Sequence, residues 1–367
     1  MISGITLDYV ELLALGLTLL FCFVLAEIWV FLRPELEVSR DIVPARVAEG
    51  EGAAGVITVT NVGSRRCPSL IASEALGARQ VNLTLAGLAP GASHNTSYLL
   101  PTDRRGVFPV GPLEISHADP LGLVGVGYGR GGQTSLIVHP RTIRVSPIPT
   151  GRSQDFDGPT KAGAPRGGIA FHSLRDYVVG DDLRLVHWPS TARTGQLMVR
   201  HTVVTNEPSL VLVLDTAAAS YPDPSDFEHA VRVFASLVLA GVERQYPTQV
   251  HATSGLLGSI DPVGTGRTTV LDRLAELHLS DADPGLASLG GLSTRRLHGA
   301  SLGVVTGLAP AEQLGKVVAV RRRFEMATVV QLGERLGRPG TTLEGVLSLA
   351  CADLEHFGRL WKAKVGS

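Results

Sequence analysis

Between Val10 and Leu32 the chain reads VELLALGLTLLFCFVLAEIWVFL, with Glu11 and Glu27 its only charges. This run limits the fold more than any other feature, because a helix that is apolar on every face needs a deep core or a membrane. At 1.5 Å per residue it can cross about 30 Å of hydrocarbon. Tyr9 and Trp29 suit the two interfaces. A secretory leader calls for a basic start and small residues at a cleavage site. Here Asp8 and Glu11 open the segment, and Trp29-Val30-Phe31-Leu32 close it. A membrane anchor over residues 1–34 is expected. Arg33, Arg40 and Arg46 follow it and no Lys or Arg precedes it. The positive-inside rule then places the C-terminal body in the cytoplasm of a protein of the cell membrane.

The remaining length, within 367 residues, allows two or three domains. A formal net charge of -1 gives no electrostatic case for nucleic acid. Cys22, Cys67 and Cys351 are odd in number and far apart. That spacing argues against a disulfide framework or a CxxC metal site.

Residues 35–149 read as a small β-sandwich-like domain. Short alternating runs at Gly55–Thr60, Gln80–Leu85, Ser97–Leu100 and Thr134–His139 are separated by turn residues such as Ala89-Pro90-Gly91. Asn82-Leu83-Thr84 and Asn95-Thr96-Ser97 fit the glycosylation triplet. Such triplets arise often by chance, and a cytoplasmic body would not carry them. Thr102-Asp103-Arg104-Arg105-Gly106 reads as a charged hairpin end.

Residues 150–208 form a linker and a dense polar block. Residues 151–170 are rich in Gly, Pro and charge and lack the Lys-Ser/Thr pair of a phosphate loop. After them come Arg175, Asp176, Tyr177, Gly180, Asp181, Asp182, Arg184, His187, Trp188, Ala192, Arg193 and Arg200. Arg–Asp pairs make directional contacts that order irregular backbone, so this block is expected to be a structural ion-pair network, a partner-docking surface, or both. Trp188 would cover apolar surface beside it. A catalytic alternative makes His187 a base, Asp181 or Asp182 its orienter, and Ser190 or Ser173 a nucleophile. The His187-Trp188-Pro189 sequence reads as a turn, and no nucleophile-elbow motif accompanies it.

Residues 209–367 read as a doubly wound α/β domain. Ser209–Leu214 is a near-continuous apolar strand ending on Asp215, the place where open α/β sheets bind ligands. A helix is expected from Ser225 to Arg244, started by a Ser225–Glu228 capping box. Further strands are expected at Gln249–Thr253, Ser301–Thr306, Lys316–Val320 and Met326–Gln331. Helices are expected from Thr268 or Thr269 to His278 and from Thr342 to Lys362.

The stretch from Gly167 to Arg200, with Leu174-Arg175-Asp176-Tyr177, Gly180-Asp181-Asp182-Leu183-Arg184, Trp188 and Ser190-Thr191-Ala192-Arg193, resembles the signature of the DUF58 family. The resemblance implies a membrane hairpin, a C-terminal half similar to the von Willebrand A fold, and a bacterial setting. One membrane segment is visible here, and a second preceding it would leave the body on the same side. The family is found beside MoxR-type AAA+ ATPases and transglutaminase-like membrane proteins. It therefore implies a non-enzymatic adaptor or assembly role with an ATPase partner.

A complete A-type magnesium site has an Asp-x-Ser-x-Ser element, a distant Thr and a distant Asp, all hard oxygen ligands. This chain offers Asp215-Thr216-Ala217-Ala218-Ala219 and ends the later strand on Thr306. Thr268 or Thr269 matches the distant threonine loosely, and Ser220 or Asp223 are the available substitutes. A degenerate site at Asp215 without metal or other cofactor is expected. A Mg-dependent adhesion module and a hydrolase using His187 are the alternatives to an adaptor.

Overall fold

The computed structural model describes residues 10–31, 34–76, 79–118, 123–150, 169–178, 186–204, 208–292, 299–333 and 343–366. Contacts divide the chain into two units, residues 1–141 with 274–277, and residues 142–273 with 278–367.

In the first unit, α1 (Val10–Phe31) is one continuous helix of 22 residues. That length reaches about 33 Å at 1.5 Å per residue. Leu15, Phe21, Phe23 and Ile28 are all exposed on it. Its one hydroxyl, on Thr18, donates to the carbonyl of Ala14 at 2.9 Å. The donor that hydrocarbon would leave unsatisfied is thus absorbed by the helix itself. Val10–Trp29 is long and apolar enough to cross a membrane.

Nine strands follow: β1 (Leu36–Val43), β2 (Arg46–Ala48), β3 (Ala53–Asn61), β4 (Leu70–Leu76), β5 (Arg79–Leu85), β6 (Ser93–Leu100), β7 (Gly106–Ala118), β8 (Gly125–Arg130) and β9 (Thr134–His139). They build one sheet of order β1-β3-β6 and one of order β2-β9-β7-β4-β5, with β8 on β7. Every second residue of β3 is buried, the pattern of a strand with one face on a core. Ile57, Val59 and Tyr98 of the first sheet share that core with Ala72, Leu113, Ile115 and Leu136 of the second. Among the described residues from 34 to 150 every helix or strand is a strand, as expected of a β region.

Arg40 on β1 and Glu74 on β4 make an ion pair between these sheets, with side chains 3% and 0% exposed. Arg40 also donates to the carbonyl of Gly132 at 2.5 Å. Gly111 makes room for it: its φ is +89°, and a Cβ there would stand 2.5 Å from the guanidinium. Read from sequence as a flanking charge of the anchor, Arg40 is instead an internal ion-pair partner. Removing one member leaves a buried charge unpaired, a loss of about 3–5 kcal/mol. Arg40→Met should therefore destabilise the detergent-solubilised chain strongly in urea unfolding. Arg40→Met with Glu74→Leu should cost far less, and equal losses would contradict the pairing.

The second unit opens with the antiparallel pair β10 (Ile169–Asp176) and β11 (Met198–Val204), joined through a chain that carries the short helix α2 (Trp188–Thr194). Then come β12 (Ser209–Leu214), α3 (Pro224–Glu243), β13 (Thr248–Ala252), β14 (Gly255–Ile260), α4 (Arg267–Glu276), β15 (Ala300–Thr306), α5 (Ala311–Val320), β16 (Ala327–Leu332), β17 (Leu347–Cys351) and α6 (Leu354–Val365). Their sheet runs β14-β13-β12-β15-β16-β17. All neighbours are parallel except the edge strand β14. Every residue of β12, β15 and β16 is buried, because helices cover both faces. Val211, Val213, Val304 and Val329 pack with Leu314 and Val317 of α5. On the other face α3 packs across β12, β13, β15 and β16.

Three expectations are corrected here. Lys316–Val320 is not a strand but the last half of α5. Its apolar run supplies a helical face, with Leu314, Val317 and Val320 buried. The single helix expected from Thr342 to Lys362 is β17 followed by α6. Leu349 and Cys351 alternate inward on the strand, and Asp353 caps the helix through the N–H of His356 at 2.7 Å. The α3 cap is Asp223, accepting from the N–H of Ser225 at 2.8 Å, with Pro224 in the first turn. A Ser225–Glu228 box is displaced by an acid two residues earlier. β14 was not anticipated, since Gly255-Leu256-Leu257-Gly258-Ser259-Ile260 lacks clear alternation.

Candidate functional site

Two places carry chemistry in the second unit. The first is the signature block. β10 and β11 pair Leu174 with Arg200 and Arg175 with Val199. α2 is pinned beside β11: the N–H of His187 donates to Met198 at 2.8 Å, and the N–H of Met198 donates to the Thr191 hydroxyl at 3.0 Å. Gly195 ends the helix with a left-handed φ of +73°, the usual glycine stop. His187-Trp188-Pro189, read as a turn, is the N-terminal boundary of α2, with Pro in a position where a missing N–H costs nothing.

Nothing on α2 is buried. Trp188 is 66% exposed, and the Arg–Asp block beside which it was expected to cover apolar surface lies largely outside the described residues. Ala192 and Arg193 are also exposed, as are Val178 and Leu197. Asp176 is exposed and Tyr177 partly buried. The His187 Nδ1 and Ser190 Oγ atoms lie 2.8 Å apart. Gly180, Asp181, Asp182 and Arg184 lie outside the described residues, as does the linker at 151–168.

The second place is the carboxyl edge of the parallel sheet. β12 delivers Asp215 there, 0% exposed. Its Oδ1 accepts from the N–H of Ala217 at 3.0 Å. Its Oδ2 accepts from the hydroxyls of Ser220 and Thr306, each at 2.7 Å. The Tyr221 hydroxyl donates to the Asp215 carbonyl at 2.9 Å. Burial, and then the Asp215 charge, push that phenol well above its ordinary range. Gly307 closes the turn after β15, where a Cβ would collide with the Ser220 carbonyl.

Beside it Asp283, missed in the sequence, is held equally tightly. It accepts from the hydroxyls of Thr216 and Thr253 and from the N–H of Gly285 at 2.8 Å. The Thr253 hydroxyl in turn accepts from the N–H of Thr216 at 2.8 Å. Asp283-Pro284-Gly285 carried only a turn signal. Its link to Asp215 depends on a chain crossing that no local pattern encodes.

These residues do not fit the A-type magnesium pattern. Mg²⁺ requires near-octahedral oxygen ligation, but Ala217 and Ala219 offer methyl groups at the two serine positions. Both Asp215 oxygens already take protein donors, and β15 ends on a hydroxyl that donates to Asp215. Of the substitutes, Ser220 is spent on Asp215 and Asp223 on the α3 cap. Thr268 and Thr269 lie on α4 and are not among the hydrogen-bond partners of Asp215. Among the described residues no group of three or more His, Cys, Asp or Glu is placed to hold a metal.

Burial acts on two of the thiols, Cys67 and Cys351. Burial raises the pKa of Cys67. Burial, and then the charge of Asp353, raise that of Cys351 to about 12. Both shifts favour the thiol over the thiolate, the reactive form.

With this geometry in place, the resemblance to DUF58 is borne out: residues 173–324 match the model of a family described as "Protein of unknown function DUF58". The match crosses from the signature block into the parallel sheet. No curated protein matches the chain. Among solved structures, the chain is similar to the CARDB domain of the PF1109 protein from Pyrococcus furiosus, at 17% identity and a TM-score of 0.23, covering 29% of this chain and 93% of that one. It is also similar to the β-glucosidase EmGH1 from Erythrobacter marinus, at 10% identity and a TM-score of 0.20, covering 29% and 15%. At these scores the likenesses carry no argument about this chain's fold or activity.

Thr306→Val keeps the side-chain shape and removes one donor to a buried carboxylate, which should cost about 1–3 kcal/mol. Urea unfolding measures it, and an unchanged midpoint would contradict the hydrogen bond. Melting curves in Mg²⁺ and in EDTA should coincide. A rise in melting temperature with Mg²⁺ would show a bound ion.

Proposed function

We propose that this chain is a membrane-anchored, non-enzymatic adaptor of the cell membrane, with its body in the cytoplasm and a von Willebrand A-like C-terminal domain. The order β14-β13-β12-β15-β16-β17 with one antiparallel edge strand supports the domain reading. The long apolar α1 supports the anchor. The partner is a protein, a MoxR-type AAA+ ATPase in the form the family resemblance implies. It docks on the signature block by surface contacts rather than through a bridging metal.

One observation carries this reading: α2 buries none of its residues, yet is pinned by backbone hydrogen bonds and holds Trp188 out at 66% exposure. A fixed, solvent-facing tryptophan on the same short helix as the exposed Arg193 has the composition of an interface hot spot. Val178 and Leu197 add apolar surface. Replacing Trp188 and Arg193 by Ala should weaken binding of a purified MoxR-type ATPase at least tenfold, with the melting temperature unchanged. Binding at wild-type strength would refute the docking surface.

A second reading rests on the 2.8 Å contact between His187 Nδ1 and Ser190 Oγ. A neutral imidazole accepting the serine proton would be a general base for a nucleophile. The same contact arises locally, three residues apart at a helix start, and there it only fixes the first turn. Ester hydrolysis by the purified chain, abolished in both His187→Ala and Ser190→Ala, would favour the hydrolase. Absent or unchanged hydrolysis leaves the contact structural.

A further inference from the structure

The helices of the second unit each return against the strand before them, so charges at their ends sort along the sheet axis. At the carboxyl edge stand Asp215 and Asp283, with the caps Asp223 and Asp353 and the first-turn Glu312 and Glu355. At the amino edge stand the helix ends. Arg244 follows α3, Arg321-Arg322-Arg323 follow α5, and Lys362 and Lys364 end α6. The Lys364 ammonium donates to the carbonyl of Ser348 at the start of β17, at 2.9 Å, which fixes the edge it occupies. All six side chains are exposed.

This edge is also concave. A cleft of about 550 Å³ is lined by Arg144, Arg244, Lys362 and Trp361, with Glu243 among them. Trp361 forms a rigid wall, its indole N–H held by the carbonyl of Ser146 at 2.8 Å. Among the described residues the acids of this edge are Glu243, Asp261, Glu325 and Glu344, and Glu243 is paired with Arg144 at 3.3 Å. One cation per helix end would complement the helix dipoles. The arginine triplet exceeds that need, and among the described residues the cations of the edge outnumber its acids, while the net charge of the chain is -1.

We infer that the amino edge of the C-terminal sheet docks on the anionic headgroups of the bilayer. The cations spread over three helix ends, with Arg321, Arg322, Arg323 and Lys364 outside the cleft that Arg244 and Lys362 line, which suits an extended charged surface better than a peptide. The anchor keeps that surface near the body, and the attraction acts over about 8 Å at physiological salt. Docking by this edge leaves the acidic carboxyl edge turned toward the solvent.

The inference rests on α1 as an anchor, and one experiment separates the two. The full chain is offered to nanodiscs of phosphatidylcholine, alone or mixed with phosphatidylglycerol, and backbone hydrogen exchange is read by mass spectrometry. Failure to enter either disc refutes the anchor. Given entry, slower exchange at 321–323 and 358–366 is expected only in the anionic discs, and it should vanish at high salt. The docking equilibrium should weaken about fivefold for each cation removed. Arg322→Ser with Arg323→Ser, and separately Lys362→Ser, should reduce the protection while exchange in β12 and β15 stays as in the wild type. Equal exchange in both discs would overturn the docking. Protection by soluble glycerol phosphate with neutral discs would overturn the bilayer as the ligand.

Discussion

The carboxylate of Asp215 gathers the carboxyl edge of the C-terminal sheet onto itself. Three donors from three places reach it: the N–H of Ala217, the hydroxyl of Ser220 in the following turn, and the hydroxyl of Thr306 on the neighbouring strand. An unpaired charge at 0% exposure would be costly, so loss of any donor falls on the whole cluster. Through Thr216 the cluster continues to Asp283 and Thr253. Four segments distant in sequence are thereby fixed at the place where a ligand of an open α/β sheet would sit. Their donors are already engaged, so the edge is closed by hydrogen bonds from its own side chains.

The signature block is built on the opposite principle. Its backbone is well tied, through Met198 to both His187 and Thr191, but among its described side chains Asp176, Trp188, Ala192 and Arg193 are exposed. A polar motif can be constrained in sequence for its core or for its surface. Here the exposed Trp188, Ala192 and Arg193 point to the surface. The match to DUF58 extends from this block through Phe324 and so spans both the outward-facing α2 and the inward-tied sheet edge at Asp215.

Much of this was legible in the sequence, for reasons that differ by region. The unbroken apolar run of α1 and the fully buried β12 admit few structures, and both lie within a residue or two of where periodicity puts them. Val317-Val318-Ala319-Val320 was misread because four apolar residues in a row fit a buried strand and the inner face of a helix equally well. β17 was hidden because Leu347, Leu349 and Cys351 blend into a longer helical pattern. The departure of Asp215-Thr216-Ala217-Ala218-Ala219 from the A-type pattern was legible in the sequence, whereas Asp283 was not. The inter-sheet pair of Arg40 and Glu74 was equally invisible, since partners 34 residues apart in different sheets leave no local trace.

The structure shows an N-terminal helix long and apolar enough to cross a membrane, a sheet closed at its carboxyl edge by its own side chains, and a pinned, exposed helix, and the proposed adaptor role joins the three. The most direct measurement is affinity capture of the full chain from its native membrane with quantitative mass spectrometry. An AAA+ ATPase recovered reproducibly with the chain is the predicted result. Recovery of the chain from membranes with no reproducible protein partner would contradict the account.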